Sequence, residues 1–294
     1  MPTALRRLLD QRAQPLPATL RTVLLTLSAV GVIVASVWAW RSSGLRTSDI
    51  EWLPVFVAFL VAAPASLALK SAEFQVSARL AGQRPPARRS LDVAVVSSAA
   101  NLLPLPGSLL VTVRSLSEDG STYGQAIAAS AVPGLAWLGI TGMVGGAAIG
   151  IEGAWWLAAL VVAGGLGAAT GAALLFRSTA PDHGRPALAA AIVAVEAGWL
   201  GISALRLGLA VSALGVSIDP TQAVALSVAG ALTVAIGFFP GGLGVREALI
   251  AALSPLIGLP LDTGVLLGAV DRVVWLLFLA LAALALSVGA RRVR

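Results

Sequence analysis

Gly237-Phe238-Phe239-Pro240-Gly241-Gly242-Leu243-Gly244-Val245-Arg246-Glu247 separates two apolar runs, 221–236 and 248–258. A proline and a cluster of glycines break the backbone there, and an arginine and a glutamate follow at once. In water this would be an ordinary turn. In a chain this apolar it reads as a helix broken within a membrane. Irregular backbone survives at that depth only when it is buried in protein or lines a wet cavity. Ionised side chains there are costly and usually functional.

The surrounding chain supports the membrane reading. Of its 294 residues 57% are hydrophobic and only 12% are charged, and the mean hydropathy is +0.90. Soluble domains carry about 25% charged residues. Apolar runs near 20 residues recur along the whole length, the mark of an all-α polytopic membrane protein. Spans are expected at about 21–40, 52–72, 124–149, 154–176, 187–212 and 262–288. The basic start of the chain (Arg6, Arg7, Arg12, Arg21) precedes a run too long for a signal peptide, so an uncleaved first span is expected. A multi-pass protein of the cell membrane follows, one integral domain over 1–294.

Composition also removes function classes. There is no cysteine, which excludes disulfides, thiolate metal sites and a cysteine nucleophile. The one histidine, His183, lies in a polar loop, which argues against a Ser-His-Asp site. No metal or cofactor is expected. The net charge of +6 is spread over short loops and is not a nucleic-acid signal.

A second break, Leu103-Pro104-Leu105-Pro106-Gly107, interrupts the run 91–113, and Arg114 follows. Two prolines so close cannot continue a straight helix. Most of the 20 basic residues fall near the N-terminus, in 70–92, at Arg114, in 177–186 and at the C-terminus. The positive-inside rule then places both termini in the cytoplasm. That orientation holds only if 91–119 and 221–258 each enter and leave on one side. The chain therefore reads span, span, hairpin, span, twice over: 1–150 as one half, 151–294 as its inverted counterpart. Matching broken segments in inverted halves point to a transporter's binding site.

The stretch Pro240-Gly241-Gly242-Leu243-Gly244-Val245-Arg246-Glu247-Ala248 resembles the signature of the lysylphosphatidylglycerol synthase transmembrane region, the flippase-like domain family. Leu105-Pro106-Gly107 with Arg114 resembles that family's first-half motif. Ser108 stands where a second glycine is usual, and Val132-Pro133-Gly134 where an arginine-bearing stretch is common. The resemblance covers most of the chain. It implies movement of a phospholipid between leaflets. It does not imply aminoacyl transfer, because 294 residues leave no room for the soluble domain that some members carry.

Substrate-binding residues are expected at the two breaks and on the spans beside them. At the second break Gly241, Gly242 and Gly244 free the backbone, and Arg246 starts a half-helix whose N–H groups favour an anion. Arg246 adds a bidentate donor for phosphate. Glu247 sits in the first turn, where it suits the helix dipole or pairs with an arginine elsewhere. Pro106, Gly107 and Arg114 are the counterparts in the first half. Glu196, Trp199, Ser203 and Arg206 fall on one stripe of a helix. Glu196 and Arg206 are roughly 15 Å apart along it, so each needs a partner from Arg246, Glu247, Asp271 or Arg272. Asp271 and Arg272, as helix neighbours, point to different partners. Gly142, Gly146 and Gly150, and Gly167 and Gly171, form small-residue faces for close packing.

Three functions compete. The first is a flippase-like transporter of an anionic phospholipid or polyprenyl phosphate. The second is a membrane enzyme acting on a lipid-linked phosphate or sugar, for which Glu196, Glu247 and Asp271 supply candidate carboxylates but no aspartate-rich cluster. The third is a carrier of a non-lipid anion. A non-enzymatic transporter with a lipid partner is the leading expectation, with oligomerisation left open.

Overall fold

A computed structural model describes residues 33–34, 36–101, 107–181, 183–236 and 244–291. Most of the first expected span, 21–32 and 35, lies outside these residues; 33–34 and 36–43 are helical. All regular structure among the described residues is helical. Among the described residues five helices are long and apolar enough to cross a membrane: α1 (Trp52–Leu80), α4 (Tyr123–Ile151), α5 (Trp155–Thr179), α6 (Arg185–Ser212) and α9, which spans Leu261–Arg291 with its apolar part at Leu261–Leu286. Between them lie α2 (Ala87–Ala100), α3 (Gly107–Glu118), α7 (Pro220–Ile236) and α8 (Val245–Leu253).

Local chemistry explains the breaks and joints. Pro64 would collide with the carbonyl four residues before it in a regular helix. The chain takes a π-helical turn at Ala58–Ala62 just ahead of it, and α1 continues to Leu80. The helix thus runs past residue 72, where the sequence reading stops it, and carries Lys70 and Glu73 within it. Thr122 and Gln125 form a capping box at the start of α4. Gly153, with φ 97°, turns α4 into α5.

Helices α4 and α5 pack backbone to backbone. A Cβ on Gly142 would come 2.7 Å from Gly165 Cα, and one on Gly146 would reach Val162. Gly150 also faces α5, at Ala158. On the α5 side the contact glycine is Gly165. Of the predicted pair, Gly167 has nothing within 4 Å, while a Cβ on Gly171 would meet Leu135 of α4 at 3.7 Å, so the closest backbone approach is at Gly165.

Both interrupted segments fold back as helical hairpins. In the first, Arg89 on α2 bridges Asp119 after α3, with Nη2–Oδ1 at 2.7 Å. Gln83 Nε2 donates to Leu116 O at 2.8 Å and to Ser121 Oγ at 2.6 Å. In the second, Asp219 and Gln222 cap α7 reciprocally. Gln222 Nε2 also donates to Ile257 O at 2.9 Å, so the chain returns to its starting level within 35 residues. α2 has 14 residues, α3 12 and α7 17. At 1.5 Å per residue these arms reach roughly 18–25 Å, short of a hydrocarbon core of about 30 Å.

Each hairpin has its own core. Phe74, Val113, Leu116, Ala126 and Ile192 are buried around the first. Leu207, Leu226, Val228, Ile250 and Leu267 are buried around the second. The outward faces are also apolar: Val273, Leu277, Leu281 and Leu284 make an exposed stripe on α9. Apolar side chains on both the inside and the outside suit a lipid environment.

Candidate functional site

Two glycines place the site. Gly264 and Gly268, one turn apart on α9, leave no side chain between α9 and α8. A Cβ on Gly268 would lie 3.3 Å from Glu247 Cα, and one on Gly264 would lie 2.9 Å from Ala251 Cα and overlap Ser254 Oγ. This approach brings the start of α8 to the middle of α9. Gly244, with φ 80°, makes the turn into α8 that a side chain would strain.

Consecutive residues of α8 then pair with consecutive residues of α9. Arg246 Nη1 donates to Asp271 Oδ2. Arg272 Nε donates to Glu247 Oε1 at 2.8 Å. Glu247 Oε2 accepts from Gly244 N at 2.9 Å, so one carboxylate caps its own helix and binds a neighbouring one. From α6, Arg206 Nε and Nη2 both reach Asp271 Oδ1 at 2.8 Å. Asp271 is thus saturated, one oxygen to each arginine. The Arg206 guanidinium also lies 5.0 Å from the Trp275 ring centre, a cation–π distance. Trp275 stacks on Phe278, which meets Phe59 of α1 edge to face.

The five ionised side chains are largely withdrawn from the surface. Asp271 and Glu247 keep 2% and 7% side-chain exposure, and Arg206 and Arg272 keep 11% and 13%. Arg246 is the most accessible at 20%. Three guanidiniums share two carboxylates, leaving an excess of one positive charge. Mutual pairing offsets the cost of burying these groups; the excess has no internal counter-charge among them.

Other predicted residues fall elsewhere. Arg114 is paired with Glu118 at 2.8 Å, and its side chain is 83% exposed, away from the cluster. Gly107 is buried where a Cβ would collide with the Ala100 carbonyl, so its role is to close the first hairpin. Pro106, Gly241 and Gly242 lie outside the described residues. Glu196 takes none of the four partners expected for it. It is buried on the part of α6 that packs against α1, where a Cβ on Gly198 would lie 3.0 Å from Leu69 Cδ2, and the charges that act on it are those of Lys70 and Glu73.

Two features escape a reading of the sequence. Asn101 Oδ1 accepts from Ser108 N at 3.0 Å across the first bend, capping α3 from outside. Its only trace is an asparagine at the end of an apolar run. Lys70 and Glu73, bonded at 2.8 Å, are half-buried within α1; an i, i+3 charge pair following an apolar run was the available signal. Among the described residues no group of three His, Asp or Glu side chains could hold a metal. A scan against protein-family models matches none, and no curated protein is significantly similar to the chain.

Proposed function

We propose that the protein is a flippase-like transporter that binds the phosphate of an anionic lipid beside the second broken helix. In this reading six spans and two re-entrant hairpins form an inverted repeat, with both termini cytoplasmic. The observation that carries it is the charge balance around Asp271. Three arginines and two carboxylates are collected where α6, α8 and α9 meet. Among these five side chains positive charge exceeds negative by one, in apolar surroundings where Coulombic attraction is much stronger than in water. Arg246 is the most exposed member and adjoins the glycine-rich break. A phospholipid or polyprenyl phosphate supplies the missing charge and the oxygens for a bidentate guanidinium contact. The likeness of Pro240–Ala248 to the flippase-like signature points the same way.

The test is translocation of a headgroup-labelled anionic phospholipid in proteoliposomes, read with an impermeant quencher. Arg246→Ala leaves Asp271 bound to Arg206, so the bundle keeps its central pair. Loss of at least about tenfold in rate is expected, the equivalent of one charge-assisted contact. A stably folded Arg246→Ala protein moving lipid at the native rate would rule the reading out.

A further inference from the structure

The α6 stripe carries a second polar station, far from the arginines. Glu196 is 1% exposed, and its Oε1 has no hydrogen-bond partner among the described residues. One turn along, Trp199 Nε1 is buried without an acceptor among the described residues. The charged groups acting on Glu196 are Lys70 and Glu73 of α1. Lys70 Nζ is already held by both oxygens of Glu73, at 2.8 and 2.9 Å.

Among the described residues no other element packed against α6 brings a free charge to Glu196. α4 carries no ionisable side chain after Tyr123, and α7 carries none. On α9, Asp271 and Arg272 are engaged in the arginine cluster. On α6 itself Arg206 is roughly 15 Å away along the axis. One ammonium therefore serves two carboxylates, and the station is short of one positive charge. A buried carboxylate in that position is neutralised by taking up a cation or a proton. Two carboxylates and no third acidic or histidine ligand make a poor metal site among the described residues. A proton needs only the lone pair that Oε1 leaves unused.

We propose that Glu196, with Glu73 and Lys70, is an intramembrane proton-binding site. A proton from solution bonds to a Glu196 carboxylate oxygen, giving a neutral carboxylic acid, and leaves again as a proton when the site opens. The inference stands apart from the lipid reading, since it concerns a different cluster and needs no lipid. If both hold, the carrier has an anion station and a proton station on one helix, the arrangement a proton-coupled transporter needs.

Infrared difference spectra of the full chain in nanodiscs, recorded between alkaline and acidic pH, test it directly. The native protein is expected to show a deuterium-sensitive protonated-carboxyl band that is absent in Glu196→Gln and retained in Glu118→Gln. Glu73→Gln removes a negative charge and is expected to move that titration to lower pH. Lys70→Met is expected to move it to higher pH, each by about one unit or more. A full band in Glu196→Gln overturns the proposal. If that variant does not fold, an unchanged titration in both Glu73→Gln and Lys70→Met overturns it instead. So does a titration midpoint that shifts when sodium is replaced by a large organic cation at constant ionic strength, which would assign the station to a metal cation.

Discussion

The two hairpins share a Pro-Gly break followed by an arginine, yet they deploy the arginine in opposite ways. In the first, Arg114 comes seven residues after Gly107 and points outward to Glu118. In the second, Arg246 comes two residues after Gly244 and turns inward to Asp271. At 1.5 Å per residue the first arginine sits roughly 10 Å along its helix from the bend, the second within the first turn. The first tip is also closed by its own parts, with Asn101 capping α3 and Gly107 seated against Ala100. In the second, the start of α8 is held by Glu247 and by charges on α9. The distance between break and arginine therefore decides whether the guanidinium anchors a surface or joins a buried network.

Substitutions can break that contrast, and the strongest should be Asp271→Asn. It leaves Arg206 and Arg246 facing each other without a counter-charge. A loss of about 3–5 kcal/mol is expected, read as a lower unfolding midpoint in detergent. Next come the glycines that seat each hairpin. Gly264→Ala and Gly107→Ala both drive a Cβ into neighbouring atoms, at Ser254 and at the Ala100 carbonyl. Each should cost about 1–3 kcal/mol, measurable by the same unfolding. Gly167→Ala, with open space around it, should not.

Smaller effects sharpen the comparison. Asn101→Ala removes the cap on α3 and should cost about 1 kcal/mol, with faster amide exchange at Ser108. The smallest belongs to Arg114→Ala. Its exposed i, i+4 pair should contribute no more than about 0.5 kcal/mol, so an unfolding midpoint close to native is expected. A large loss there would mean that the first hairpin uses its arginine as the second does.

The parts of the site that could be read in advance are those governed by short-range geometry. The stripe Glu196–Arg206 follows from helical periodicity, and so does the divergence of Asp271 and Arg272. The choice among partners does not. Arg206 and Arg246 converge on Asp271 because Gly264 and Gly268 let α8 close on α9. No local rule pairs residues 65 positions apart. Glu196 shows the same limit from the other side: its neighbours Lys70 and Glu73 sit in a region whose arginines mark it as interfacial. Only the π turn before Pro64 carries α1 on through that region to Leu80.

Composition and periodicity alone determined that this is an apolar helical chain with two interrupted segments, because burial in lipid demands long runs of apolar residues and tolerates few breaks. They also singled out Glu196, Arg206, Arg246, Glu247, Asp271 and Arg272 as charges within apolar runs, but not Lys70 and Glu73, and they placed Arg114 at the site although it is exposed. The tertiary structure alone decided how those charges divide: an arginine cluster with one positive charge in excess, and a Lys70–Glu73–Glu196 cluster with one negative charge in excess. That division depends on which helices touch, and contact between helices is set by small residues and packing across the whole bundle.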